Sequence, residues 1–141
     1  MTYKNLKRLA KLRKIVLGSG SPRRLELLRE TGIEFRQNVS GISEPEHQDG
    51  DPYEHARELA DEKALSIAHG LKSDEMVIAA DTVVVLNGKA MSKPKDKTEA
   101  ADFLRVLSGK SHVVCTALAI ADREKIFFHR ELPVMVSGVI L

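Results

Sequence analysis

An almost continuously apolar run from Met76 to Leu86 constrains the fold of this chain more than any other feature. Such a run is typical of a buried strand, and Asn87-Gly88 after it is a strong signal for a two-residue hairpin turn. The chain is therefore predicted to turn back along this strand from Lys89. Asp81 interrupts the run, and its carboxylate would cost several kcal/mol if it were buried without a partner. Asp81 is therefore predicted to have a partner in the folded protein.

The rest of the chain alternates between short β-prone runs and helical patterns. Predicted strands cover Lys14–Leu17, Ile33–Val39 and His112–Ala121, and a further strand begins at Ile126–Phe128. Predicted helices run from Pro22 to near Gly32, over Tyr53–Ala68, and from a Thr98 cap to Leu107. Because strands and helices alternate without a linker or repeat, the sequence predicts one α/β domain with a mixed sheet flanked by helices.

Composition limits the classes of partner. The 141 residues fit one domain, and 22 basic against 20 acidic residues give a net charge of +2, which argues against a general nucleic-acid or membrane-surface binder. Any anion site must therefore be local. One cysteine, Cys115, cannot form an internal disulfide, and no run of about 18 apolar residues could span a bilayer. These features favour a cytoplasmic protein.

Residues 1–14 carry six basic side chains and no acidic one. This composition is compatible with a basic N-terminal arm or an organelle-targeting presequence, but a short solvated helix that leads into the first strand is the favoured interpretation. We therefore divide the chain into an arm, residues 1–14, and a domain, residues 15–141.

The segment Ser19-Gly20-Ser21-Pro22-Arg23-Arg24, called the Ser19–Arg24 segment below, joins the first strand to the first helix. Ser21 is a candidate N-cap with Pro22 at N1, which places both arginines where the helix dipole disfavours cations by about 0.3–1 kcal/mol. Backbone N–H groups, serine hydroxyls and guanidinium groups could together hold a phosphate there. The alternative is an exposed, capped helix whose arginines pair with Glu26 or Glu30.

Three charged residues elsewhere are candidates for the same chemistry. Asp81 could activate water or hold a hard cation such as Mg²⁺, or it could simply accept backbone N–H bonds at a strand end. Lys63 lies four residues from both Leu59 and Ile67, so it stands beside the buried helix stripe. Its ammonium could neutralise a phosphate, or its aliphatic stem could extend along the protein surface so that the ammonium reaches solvent. Lys93 could reach the same cleft or be a surface turn residue.

Several kinds of site are not indicated. His112 and His129 are isolated, and with one cysteine the sequence offers no zinc-like ligand spacing. It contains neither a P-loop nor a Gly-x-Ser-x-Gly nucleophile elbow.

Five motifs in order resemble the Maf family: the Ser19–Arg24 segment, Glu62-Lys63-Ala64, Ala80-Asp81-Thr82-Val83-Val84, Lys93-Pro94 and Leu107-Ser108-Gly109-Lys110-Ser111-His112. The resemblance spans about residues 14–122. It implies a Maf/ITPase-like fold and an enzyme that hydrolyses a nucleoside triphosphate to a monophosphate and pyrophosphate, with Mg²⁺ or Mn²⁺. The implied partner is a nucleotide substrate, not a nucleic acid or a membrane.

The resemblance also implies residue roles. Asp81 matches the family's catalytic acidic residue, which would serve as the general base or as a metal ligand. Glu44 would be a second metal ligand. Arg23 and Thr82 resemble the branch associated with dTTP and UTP. The residues that match positions around the substrate are Ser19, Ser21, Arg23, Arg24, Lys63, Thr82 and Lys93.

The chain departs from the family pattern at Ser92, where glycine or glutamate is usual, at Ser43, where an acid is usual, and in length. Family members are usually longer, so most of a second lobe that helps to form the base pocket is expected to be missing. An inactive or binding-only protein is therefore the alternative, and a homodimer could cover exposed edge strands. A phosphatase with Asp81 as nucleophile is a third reading, although Val83 stands where its second aspartate would be.

Overall fold

Within residues 3–42, 50–91 and 94–137, which the computed structural model describes, helices and strands alternate. The helices are α1 (Tyr3–Leu12), α2 (Pro22–Glu30), α3 (Pro52–Ala68) and α4 (Lys97–Leu107). The strands are β1 (Lys14–Leu17), β2 (Phe35–Gln37), β3 (Glu75–Leu86), β4 (Lys89–Met91), β5 (His112–Ala121) and β6 (Ile126–Val136). None of the helices in these ranges is long and apolar enough to cross a bilayer.

The strands form one mixed sheet in the order β2-β1-β3-β5-β6, and β4 pairs with β3 outside this path. β1 runs parallel to both β2 and β3, whereas β5 runs antiparallel to both β3 and β6. β3 holds the centre because its apolar residues can be buried on both faces. The predicted mixed sheet flanked by helices is confirmed.

Helices cover both faces of the sheet. On one face, α3 packs small side chains against small side chains of β3 and β5: Ala56, Ala60, Ala64, Ala79, Ala117 and Ala119. On the other face, Leu9 of α1 and Leu28 of α2 pack against a cluster that includes Met76. Because successive strand residues point to opposite faces, Asp81 shares the α3 face with Val77 and Ala79. Its two neighbours along the strand point towards the face of α1 and α2.

The boundaries largely follow the predicted patterns, with two differences. The strand predicted over Ile33–Val39 is confined to Phe35–Gln37, because it pairs only with β1, which is four residues long. The fourth helix is capped by Asp96 and not by Thr98: Oδ1 of Asp96 accepts a hydrogen bond from the Glu99 N–H at 2.8 Å. The hairpin turn after β3 is confirmed, with φ of 52° at Asn87 and 78° at Gly88.

A buried carboxylate at the start of β3 links the parallel strands. Glu75, 5% exposed, accepts two hydrogen bonds from the Arg36 guanidinium of β2, at 2.8 and 3.2 Å, and one from the Lys72 N–H at 2.9 Å. The Arg36 hydrogen bonds, with help from Lys72, lower the pKa of Glu75 from 4.5 to about 2. β2 is thereby tied to β3 across the intervening strand β1.

Glu75→Gln should reduce the free energy of unfolding by about 1–2 kcal/mol at pH 7, a value that allows for solvent screening of the half-exposed Arg36. A lowered folded-state pKa means that the ionised carboxylate stabilises the fold above pH 4.5 and that this contribution is lost as the pH falls towards 2. Urea unfolding at pH 7 and pH 2.5 should therefore show the wild type and variant converging. An exposed control, Glu58→Gln, should change the free energy by less than about 0.5 kcal/mol. An undiminished difference at pH 2.5 would contradict this account.

Candidate active site

A polar cavity of about 290 Å³ opens where β1 ends. Its walls come from four parts of the chain: the β1–α2 turn, the segment after β2, α3 and β3. The lining residues are Gly18, Ser19, Gly20, Ser21, Arg24, Val39, Ser40, Ile42, Lys63 and Ala80. The carboxyl ends of parallel strands meet at this edge of the sheet, which is where α/β folds commonly bind ligands.

The turn after β1 is shaped by its small residues. Ser21 caps α2, since its Oγ accepts the Arg24 N–H at 3.4 Å, and Ser19 Oγ accepts the Ser21 N–H at 3.2 Å. A Cβ on Gly18 would lie 2.8 Å from Ile67 Cδ1 and 2.9 Å from a Val77 methyl carbon, so a side chain has no room there. Glycine therefore lets the turn pass close between α3 and β3 before it enters α2.

Arg24 turns from the first turn of α2 onto β3. Its Nη1 donates to Ser19 Oγ at 3.3 Å and to the Ala80 carbonyl at 3.2 Å, and its Nη2 donates to Thr82 Oγ1 at 2.8 Å. The guanidinium thus bonds to both neighbours of Asp81 and holds this part of the strand against the turn. Neither arginine of the Ser19–Arg24 segment pairs with Glu26 or Glu30 in the structure.

Asp81 has the partner that its buried position requires. Lys63 Nζ lies 3.0 Å from Asp81 Oδ1, and the two side chains are only 15% and 8% exposed. Lys63 comes from the α3 face and lines the cavity, whereas Asp81 lies beside it, directly after the lining residue Ala80. A buried, charge-paired carboxylate at the edge of a polar cavity can serve as a base or as a cation ligand once the lysine is shared with another anion.

The other predicted site residues differ in their placement. Arg23 is exposed and makes no hydrogen bond or ion pair with the part of the chain that is described. Thr82 is exposed on the opposite face of β3 from Asp81, with its hydroxyl 3.0 Å from that of Thr116. Glu44 and Lys93 lie outside the described residues. Within the described ranges, no group of three or more acidic, histidine or cysteine side chains forms a metal-binding cluster.

Four polar residues at this site belong to no motif that the sequence would single out. Gln37 Nε2 donates to the Ser19 carbonyl at 2.7 Å, and Ser40 Oγ lies 3.0 Å from Ser66 Oγ, which in turn donates to the Lys63 carbonyl at 2.9 Å. The fourth, Thr116, bonds to Thr82 as described above. Gln37 could have been found from topology, because it ends a strand that runs parallel to β1. The other three depend on contacts between distant segments.

Solved structures share this architecture. The Staphylococcus aureus Ham1 protein aligns with a TM-score of 0.55 at 16% identity, over 92% of this chain and 72% of its own. A HAM1 protein from Coxiella burnetii gives 0.54 at 16% identity over 87% and 70%. A nucleoside-triphosphatase / dITP/XTP pyrophosphatase from Mycobacterium abscessus gives 0.51 at 18% identity over 88% and 73%. At these identities the likeness is one of fold.

Sequence relatives are considerably more similar. A dTTP/UTP pyrophosphatase of Pelotomaculum thermopropionicum is 45% identical over 111 residues, which make up 79% of this chain and 58% of the relative. Enzymes of the same name from Salmonella typhimurium and Escherichia coli are 44% and 43% identical, over 79% of this chain and 56% and 57% of their own lengths. The chain thus spans little more than half the length of these relatives.

The sequence model of the family described as Maf-like protein matches residues 14–137, which include the Ser19–Arg24 segment, Lys63 and Asp81. This range covers the whole sheet and both helices that contribute to the cavity. With that match and relatives above 40% identity, the chain belongs to the Maf family.

Proposed function

We propose that this chain contributes the phosphate-binding and catalytic half of a nucleoside-triphosphate pyrophosphatase that acts on dTTP and UTP. The products would be the nucleoside monophosphate and pyrophosphate. One observation carries the proposal: most of the Ser19–Arg24 segment lines the same polar cavity as Lys63, whose ammonium pairs with Asp81. The names of the relatives support the reaction and the pyrimidine bases.

The cavity offers several groups that suit a triphosphate. The amino end of α2 lies at this turn, where the helix dipole stabilises an anion. The hydroxyl of Ser21 and the guanidinium of the exposed Arg23 add donors at the same helix start. The ammonium of Lys63 supplies positive charge from the other wall, which compensates charge on the transferring group.

Asp81 is the proposed general base. Lys63 pairs with its carboxylate; a bound triphosphate would share this ammonium and leave an Asp81 oxygen able to accept a proton from water. Arg24 keeps this carboxylate on the α3 face by bonding to the residues before and after it. Attack of that water at the α-phosphorus breaks the bond to the β-phosphate, and pyrophosphate leaves.

A divalent cation fits this site by its donor chemistry. Mg²⁺ commonly takes one or two protein carboxylates and fills its other positions with water and substrate phosphates, and Asp81 supplies one buried carboxylate beside a polar cavity. Asp81 would hold the ion, with Glu44 as its proposed second ligand. When bound, the cation offsets negative charge on the phosphates.

Pyrophosphate release from a panel of triphosphates tests the proposal. The purified chain with Mg²⁺ or Mn²⁺ is expected to release pyrophosphate from dTTP and UTP faster than from dCTP, ATP and GTP. Calorimetry run in parallel separates the alternatives: triphosphate binding without release would indicate a binding-only protein. A trapped aspartyl-phosphate at Asp81 would instead indicate the phosphatase reading.

A further inference from the structure

The Ser19 carbonyl group lies just beyond the last backbone hydrogen bonds that join β1 to its parallel neighbours β2 and β3. The Gly18 N–H still donates to Ile78 and the Asn38 N–H to Leu17, at 2.8 and 3.0 Å, but beyond them no strand partner is available. Ser19 is only 7% exposed, and a buried carbonyl without a donor would be costly. The side-chain amide of Gln37 fills this gap at 2.7 Å.

The direction of this carbonyl fixes the direction of the next N–H. In a planar trans peptide the carbonyl of Ser19 and the N–H of Gly20 point to opposite sides. Because Gln37 holds the carbonyl towards β2, the Gly20 N–H must point away from that strand. Gly20 lines the cavity, and its N–H has no partner within the described part of the chain. Glycine restrains its own peptide weakly, so an outside contact decides the orientation.

We infer that Gln37 is a positioning residue that aims the Gly20 N–H at a phosphate oxygen of the bound ligand. This inference rests on the proposed function in taking the ligand's phosphate as the anion. It adds a role for the Gly20 N–H within the Ser19–Arg24 segment and for Gln37, a strand-end side chain outside the predicted motifs. Gln37 itself touches the turn and not the ligand. Loss of its hydrogen bond should free the Ser19–Gly20 peptide to rotate and weaken anion binding without removing any charge.

Gln37→Met is a suitable variant, because methionine has a similar length and no hydrogen-bond donor. Inorganic pyrophosphate is the probe, since it tests phosphate binding without a base or turnover. We expect its affinity, measured by calorimetry, to fall about 3–10-fold, the effect of one neutral hydrogen bond. In ¹⁵N-labelled protein the Gly20 amide resonance should shift when pyrophosphate binds to the wild type and shift much less in the variant.

The matched control is Asn38→Met, at the next position, which is also exposed and whose side chain makes no bond to the turn. It should bind pyrophosphate within twofold of wild type, with an unchanged Gly20 shift. Equal affinities for Gln37→Met and wild type, or a wild-type Gly20 amide that does not respond to pyrophosphate, would overturn the inference. The proposed function fails separately, if the wild type binds pyrophosphate through Gly20 but releases none from dTTP.

Discussion

Asp81→Asn is expected to slow pyrophosphate release from dTTP by about 10²–10⁴-fold, the usual contribution of a positioned general base. Asparagine has nearly the same shape as aspartate and can still accept a hydrogen bond from Lys63, so the strand and its contacts should persist. What it lacks is the carboxylate charge, with which Asp81 is proposed both to take the proton from water and to hold the cation. Initial rates with saturating dTTP and Mg²⁺ measure the effect, and the triphosphate should still bind.

Asp74→Asn provides the matched control, because Asp74 lies immediately before the first residue of β3 and its side chain is half exposed. Its rate should stay within about twofold of wild type. If Asp81→Asn retained more than about a tenth of the wild-type rate while Asp74→Asn behaved normally, Asp81 could not be the general base.

Lys63→Met is expected to lower the free energy of unfolding by about 3 kcal/mol, because it leaves the Asp81 carboxylate buried without its counter-charge. Methionine preserves most of the apolar stem of Lys63, so the loss reports the charge and not a cavity. Urea unfolding at pH 7 measures it. Pyrophosphate release should fall as well, since the same ammonium is proposed to face the phosphates.

A double variant shows whether the lost stability comes from the unpaired Asp81 carboxylate or from a general packing defect. In Lys63→Met/Asp81→Asn the unpaired charge is gone, so at least half of the lost stability should return even though activity does not. The exposed control Lys89→Met should be nearly neutral. If the double variant is as unstable as Lys63→Met alone, the destabilisation does not come from an unpaired Asp81.

The local signals in this sequence were strong enough to predict most of the fold. Strand β3, the Asn87-Gly88 turn and the Ser21 cap of α2 each depend on residues that are close together in the sequence. The structure confirms all three. The cap of α4 illustrates the limit: Asp96 and Thr98 are both good capping residues, and Asp96 takes the role because its carboxylate reaches the Glu99 N–H. β2 is shorter than its sequence pattern because its partner strand is short.

The geometry of the candidate site depends more on tertiary contacts. The apolar run indicated that Asp81 needed a partner, and the helical spacing placed Lys63 beside the buried stripe, but only the packing of α3 on β3 joins them. The contact from Arg24 to Thr82 spans 58 residues, so no local pattern could have shown that this arginine braces the strand. The proposed role of Gln37 likewise required the parallel pairing of β2 with β1.

One cavity is proposed to bind a triphosphate and to direct water to its α-phosphorus. Phosphorus-31 NMR of dTTP incubated with the chain and Mg²⁺ in ¹⁸O-labelled water tests this proposal most directly. We expect dTMP and pyrophosphate as products, with the ¹⁸O in dTMP. Release of orthophosphate with dTDP, or ¹⁸O found in pyrophosphate, would contradict the proposal.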